Sequence, residues 1–171
     1  APGVWDFSAL DEIIELLHAA GIRINLGTGT ASPAPWLTAR HPEILPVGED
    51  GTVFHQGGRQ GYCPSSPLFR DYAAEVVTRV VERYGNHPAV SLWHVSNELG
   101  CHNALCYCDT SAEAFRGWLR DRYDDIDALN RAWGTTFWSQ RYSDFDDVRV
   151  PAQALSPVSY THLTLPTTPY V

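Results

Sequence analysis

Leu10, Ile13, Ile14 and Leu17 recur at intervals of three and four residues, the spacing that lines one face of a helix. Asp6 or Ser8 can cap that helix at its start, and Gly21 stops it. Residues 22–26 then form a short apolar run that reads as a strand. Residues 28–36, with Gly29, Pro33 and Pro35, read as a loop, followed by a brief helical turn over 37–41. A second irregular stretch, 46–64, holds Gly48, Gly51, Gly57, Gly58 and Gly61; long loops inside compact domains are uncommon and often functional. Over 67–84, Leu68, Tyr72, Val76 and Val80 align on one face of a long helix, closed by Gly85 with Pro88 beyond. Residues 89–95 are the next apolar strand, and two further helices are predicted over 111–123 and 126–133, with Phe115, Leu119, Ile126, Leu129 and Trp133 on their buried faces. Helix, strand, loop, helix, strand, with both strands short and apolar, is the repeat of a parallel α/β protein.

Composition narrows the class. The 171 residues are 44% hydrophobic and 19% charged, enough for one buried core. A net charge of −8 disfavours a nucleic-acid groove or an anionic membrane surface, both of which need clustered Lys and Arg. Small neutral substrates remain allowed. No apolar run approaches the roughly 20 residues that span a bilayer, and the first residues lack the pattern of a secretion leader, so a cytoplasmic location is expected. The chain contains no Met, which suggests that it begins inside a larger gene product. Residues 150–171 carry no charge and include Pro151, Pro157, Pro166 and Pro169. The expectation is a folded portion over 1–155 and an unstructured, non-native tail over 156–171; the rival is an extended segment packed on the domain.

The chemistry concentrates where the second strand ends, at Ser96-Asn97-Glu98. Parallel α/β enzymes keep their reacting groups at the carboxyl ends of their strands, so Glu98 is the first candidate for a catalytic carboxylate. The alternative is a carboxylate that only caps a loop. Glycoside hydrolysis with retained configuration uses two carboxylates about 5 Å apart, a proton donor and a nucleophile, and Glu98 can supply one of them. Asn97 offers an amide to a sugar hydroxyl beside the reacting carbon. Trp93 and His94 precede it with opposite side-chain directions, and packing is the expected role of both. Of four cysteines, Cys101, Cys106 and Cys108 cluster while Cys63 lies apart; a Cys-x-Cys pair can put two thiolates on one tetrahedral ion.

The run from Trp93 through Asn97, Glu98, Cys101 and His102 to Cys106-Tyr107-Cys108, and the later Trp133-Gly134-Thr135-Thr136-Phe137-Trp138-Ser139-Gln140-Arg141-Tyr142, resemble the N-terminal catalytic domain of glycoside hydrolase family 42 β-galactosidases. The segments 57–67 and 30–37 are similar to that family as well, and the resemblance runs from about Val4 to Val150. Asn-Glu alone is shared by many retaining barrels; the Trp-Gly-Thr-x-Phe-Trp-Ser-Gln run and the Cys-x-Cys spacing are the specific part.

The resemblance implies a (β/α)8 TIM barrel, of which this chain would supply roughly the third and fourth strands with flanking helices. Glu98 would be the general acid/base at the end of the fourth strand, with Asn97 and Arg59 contacting galactose and Trp138 forming an aromatic wall. From the residues alone, Arg59 reads more readily as a solvated loop residue and Trp138 as a core residue; the matched context reverses that preference. Some members hold a structural zinc on four cysteines. Cys63, Cys106 and Cys108 match three of those positions, but Ser111 stands at the fourth, and serine is a poor zinc ligand. The family's nucleophile is a second Glu near the end of the seventh strand, and no acidic residue here, Asp144, Asp146 and Asp147 included, has the strand context to replace it. The expectation is therefore a fragment of a retaining β-galactosidase, inactive alone, its parent acting on a galactoside or oligosaccharide and, by analogy with the family, forming a homotrimer. The rivals are another retaining barrel glycosidase, an arabinosidase or endo-glycanase, and a non-catalytic zinc- or sugar-binding module.

Overall fold

The computed structural model describes residues 3–152; the stretch predicted as a tail lies outside them. The chain divides into two compact units, one formed by the residues up to Pro46 together with Phe54–Leu105, the other by Val47–Val53 and the chain from Cys106 onward.

The first unit is a strand–helix–strand repeat with a helix before it. Helix α1 spans Ser8–Ala19, strand β1 Ile24–Gly27, a short helix α2 Pro35–Arg40, helix α3 Pro67–Tyr84 and strand β2 Val90–His94. The strands pair in parallel, Asn25 opposite Leu92, Leu26 opposite Trp93 and Gly27 opposite His94, with an irregularity between Ile24 and Asn25. Helices α1 and α3 bury Ile14, Val80 and Tyr84 against Ile24, Leu26 and Ala89. This is the burial that makes helix and strand mutually stabilising, since neither apolar face is viable in water by itself. A second cluster joins Leu37 of α2 and Ile44 to Phe69 of α3, with the Tyr62 ring stacked on Phe69 at 3.8 Å between centroids.

Local sequence explains most boundaries. Ser66 caps α3 by accepting the Phe69 N–H, and Pro67 occupies the first turn, where its missing N–H is not needed. At its end Gly85 is required, but not for a left-handed turn: its φ is −59°, and a Cβ there would stand 2.6 Å from the Val81 carbonyl oxygen. The expectation at α1 needs correction. Phe7, not Asp6 or Ser8, occupies the cap position; Asp6 instead accepts both the backbone N–H and the hydroxyl of Ser8, an Asx turn that leads into the helix. Strand β1 begins at Ile24, two residues later than expected, because Ile22 and Arg23 lead out of the Gly21 turn and Ile22 is exposed.

The second unit holds helix α4, Asp109–Arg122, and helix α5, Ile126–Trp133, followed by a 3-10 turn at Phe145–Asp147. Leu119, Leu129, Trp133 and Val148 form its core, with Phe115 and Ile126 at the margin. Helix α4 starts two residues before the predicted Ser111 because the Cys108 sulfur accepts the Ser111 N–H at 3.5 Å, capping the helix. Gly134, at φ +64°, ends α5 in the left-handed conformation that glycine tolerates. Asn130 is almost wholly buried on α5; its amide donates to the Tyr142 carbonyl at 2.8 Å and accepts the Tyr142 N–H at 3.0 Å and the Thr135 hydroxyl at 2.5 Å. No helix among the described residues is long and apolar enough to cross a membrane.

Candidate active site

Strand β2 ends at His94, and the chain then runs through Val95 and Ser96 to Asn97 and Glu98. Two bonds extend the β1–β2 pairing past the strand ends: the Thr28 N–H donates to the His94 carbonyl at 3.1 Å and the Thr28 hydroxyl to the Val95 carbonyl at 2.8 Å. These anchor the start of the segment that carries the carboxylate. Trp93 turns toward the helices and packs on the core, whereas His94 is exposed.

The Glu98 side chain is about half exposed, and its polar contacts converge on one oxygen. The Arg59 guanidinium donates to Oε2 at 2.9 Å, the Asn97 amide to the same atom at 3.3 Å, and His102 Nε2 stands 3.6 Å away. Three of the four residues singled out for the sugar site, Arg59, Asn97 and Glu98, are thus mutual neighbours in the first unit. Arg59 is not a solvated loop residue without a partner. The Asn97 amide, expected to meet a sugar hydroxyl, here meets the neighbouring carboxylate. Trp138 belongs to the second unit, where it is 78% exposed, has φ +51° and meets the Phe137 ring edge-on; it is not a core residue.

The residue that sequence reasoning passed over is Gln60. It is 4% exposed, and its side-chain amide bonds to four backbone groups of the segment 97–103. Nε2 donates to the carbonyls of Asn97 at 2.7 Å and Glu98 at 2.5 Å; Oε1 accepts the N–H groups of His102 at 3.2 Å and Asn103 at 3.3 Å. Asn103 in turn donates to the Tyr62 carbonyl at 2.6 Å. Both Gln60 and Glu98 have left-handed backbones, φ +59° and +43°. For a residue with a side chain this conformation costs about 1–2 kcal/mol, so it persists only where surrounding bonds impose it. The one sequence sign of Gln60 was its place between Arg59 and Gly61 in the glycine-rich loop.

Two groups of residues invite a metal. Glu98, Cys101 and His102 bring a carboxylate, a sulfur and an imidazole within 4.8 Å of one another, all exposed, but the Arg59 guanidinium already donates to one oxygen of the carboxylate. In the second unit the Cys106 sulfur accepts the Val47 N–H at 3.4 Å, and Cys108 lies beside Ser111, whose hydroxyl oxygen is 3.7 Å from its sulfur. The donor chemistry fits zinc at Cys106 and Cys108 and departs from it at Ser111, an alcohol where a thiolate is wanted. Cys63 is completely buried in the first unit. An apolar hollow of about 550 Å³, walled by Trp5, Trp36, Phe69 and Tyr72, includes neither Arg59 nor Glu98.

A carboxylate presented just past the carboxyl end of a parallel strand pair stands where α/β enzymes hold their reacting groups, and comparison with known proteins gives the family. The sequence profile of glycoside hydrolase family 42, beta-galactosidase, matches residues 1–165, and the chain belongs to this family. It is 50% identical over 159 residues to a beta-galactosidase of Arthrobacter sp, covering 93% of this chain and 23% of that protein. It is 48% identical over 163 residues to a beta-galactosidase of Thermus thermophilus, covering 95% and 25%. Among solved structures, the beta-galactosidase from the psychrophilic Marinomonas ef1 superposes with a TM-score of 0.88 at 41% identity over 92% of this chain and 24% of that one. The enzyme from the Antarctic haloarchaeon Halorubrum lacusprofundi gives 0.86 at 46% identity, covering 91% and 24%. The chain therefore spans about a quarter of the length of these relatives.

Proposed function

We propose that this chain is part of the catalytic barrel of a retaining β-galactosidase, with β1 and β2 as two adjacent barrel strands and Glu98 as the general acid/base. The observation that carries the reading is the position of Glu98: a half-exposed carboxylate just past the carboxyl end of a parallel strand, oriented by Arg59 and Asn97. In the first step Glu98, in its acid form, gives its proton to the glycosidic oxygen as the bond to the anomeric carbon breaks and a second carboxylate attacks that carbon. In the second step the Glu98 carboxylate takes a proton from water, whose oxygen displaces the enzyme carboxylate and releases galactose. The nucleophile is a glutamate beyond the residues of this chain, and this polypeptide by itself gives no turnover. Arg59 and Asn97 exchange part of their contact with Glu98 for sugar hydroxyls; for Trp138, it is the family resemblance that supports an indole face for the apolar side of a pyranose.

The test is Glu98→Gln in a full-length family 42 chain carrying this segment. Hydrolysis of galactosides with poor leaving groups is expected to fall by about 10²- to 10⁴-fold. Turnover close to the parent's would reject the assignment. A panel of β-galactosides, α-arabinosides and polymeric glycans on the same parent reads the substrate class, and a preference for either of the latter two would replace β-galactosidase with that activity.

The family resemblance also supports Cys63, Cys106 and Cys108 as thiolate ligands of a structural zinc, with a donor other than the Ser111 hydroxyl completing the set. Such an ion would contribute folding stability and no step of hydrolysis. Metal analysis of the full-length chain should find about one zinc per polypeptide by this reading, lost in Cys106→Ser and Cys108→Ser. A zinc-free parent of full stability would exclude it.

A further inference from the structure

We propose that Gln60 is the positioning residue for the Glu98 carboxylate, an inference that rests on the acid/base assignment above and deepens it. The two hydrogens of its Nε2 go to the carbonyls of Asn97 and Glu98, the oxygens of the two peptide planes that flank the Glu98 Cα. Fixing both planes fixes φ and ψ at residue 98, and those two angles set the direction in which its Cα–Cβ bond leaves the chain. The acceptor side of the same amide holds the N–H groups of His102 and Asn103, beyond the turn closed by the Cys101 N–H on the Glu98 carbonyl at 3.0 Å. A single buried amide thereby ties the entry of the catalytic segment to its exit. All the donor and acceptor valence of the amide goes to backbone, so it is not available to contact substrate.

Gln60 is itself held. Its N–H donates to the Ala31 carbonyl at 2.7 Å, which ties the glycine-rich loop to the loop after β1. Arg59, the preceding residue, delivers its guanidinium to Glu98 Oε2 at 2.9 Å. Two consecutive residues therefore fix the two ends of the glutamate, Gln60 its backbone and Arg59 its carboxylate. A proton donor off its line of transfer penalises departure of a basic alkoxide far more than departure of an acidic phenol, which leaves with little help. Loss of Gln60 should accordingly register as a change in leaving-group dependence, a readout that loss of stability alone would not move.

The experiment uses a full-length family 42 chain carrying this segment, with Gln60→Glu and Glu98→Gln compared across β-galactosides of graded leaving group. The variant Q60E keeps size and the acceptor oxygen but replaces the two-hydrogen donor by an oxygen facing two carbonyls. Because kcat/KM reports the step in which the leaving group departs, it is read at both ends of the series. The expected result for Q60E is a loss of about 100-fold on an alkyl galactoside and less than about 5-fold on the dinitrophenyl galactoside, in the same direction as E98Q. If E98Q shows this discrimination and folded Q60E loses both substrates equally or neither, the positioning role is overturned while the acid/base assignment stands. If E98Q shows none, both are overturned. Should circular dichroism show Q60E unfolded, Gln60→Met, neutral and of similar length, carries the identical criterion.

Discussion

Among the described residues two buried side-chain amides pin irregular chain, and they do so from opposite kinds of support. Asn130 sits on α5, between the core residues Leu129 and Trp133, and binds the returning chain at Thr135 and Tyr142. Gln60 sits on a loop, in a left-handed backbone, and binds another loop. Asn130 borrows rigidity from a regular helix and closes a packed corner. Gln60 has no helix behind it; the anchors are the Ala31 bond on its own backbone and the Tyr62–Asn103 bond two residues along. The contrast separates a bond that maintains packing from one that maintains geometry, since the segment 97–103 contributes nothing to the buried clusters.

The largest effect on stability is therefore expected at the helical amide. Asn130→Ala removes the side-chain bonds to the Tyr142 N–H and carbonyl and to the Thr135 hydroxyl, which keeps its bond to the Asn130 carbonyl, in a buried setting, a loss of about 3 kcal/mol read by urea denaturation of the whole chain. Gln60→Met should lose less, about 1–2 kcal/mol, because water can reach much of the loop it releases. Equal losses at the two positions would erase the distinction.

The smallest expected effect lies away from both amides, at the pair that ties α1 to α3. Arg83 donates two hydrogen bonds to Asp11, and Tyr84 a third at 2.7 Å, which holds the Asp11 carboxyl below its ordinary value. Burial, then the bond to Asp11, pushes the Tyr84 hydroxyl up. A carboxyl depressed in the folded state stabilises it above the unfolded value of about 4, and that contribution vanishes as pH falls through the lower folded value. The Tm difference between the parent chain and Asp11→Asn should thus be complete at pH 6 and close as pH drops below about 4. Since the pair is partly exposed, the difference should also shrink with added salt. A difference that grows toward low pH would reverse the assignment.

The boundaries of α3 were legible because Ser66, Pro67 and Gly85 act through neighbours in sequence, and Glu98 because a carboxylate directly after an apolar strand is an unusual place for one. Gln60 was not legible for a physical reason: its partners are backbone groups of residues 37–43 positions away, and a backbone group has no residue type to read. The capping of α4 by Cys108 escaped because a cysteine in a Cys-x-Cys pair suggests a metal before it suggests a helix cap. Within the first unit, the placement of Arg59 and Glu98 at one sugar site followed from the family resemblance and not from spacing, since 39 residues separate them, and their direct bond had no sign in the sequence. The division into two units left no mark in the hydrophobic pattern, because Val47–Val53 joins the later unit through backbone bonds such as Tyr107 N–H to the Val47 carbonyl.

Leu92 and Val95, on and just beyond β2, stand 63% and 73% exposed, and among the described residues each of the two strands has a partner on one side only. Bare ladder groups beside greasy side chains make an adhesive rim, receptive to any further strand in register. Prepared in isolation, the polypeptide should precipitate or self-associate as its concentration rises, and a complementary piece of a family 42 enzyme supplied in trans should keep it dispersed.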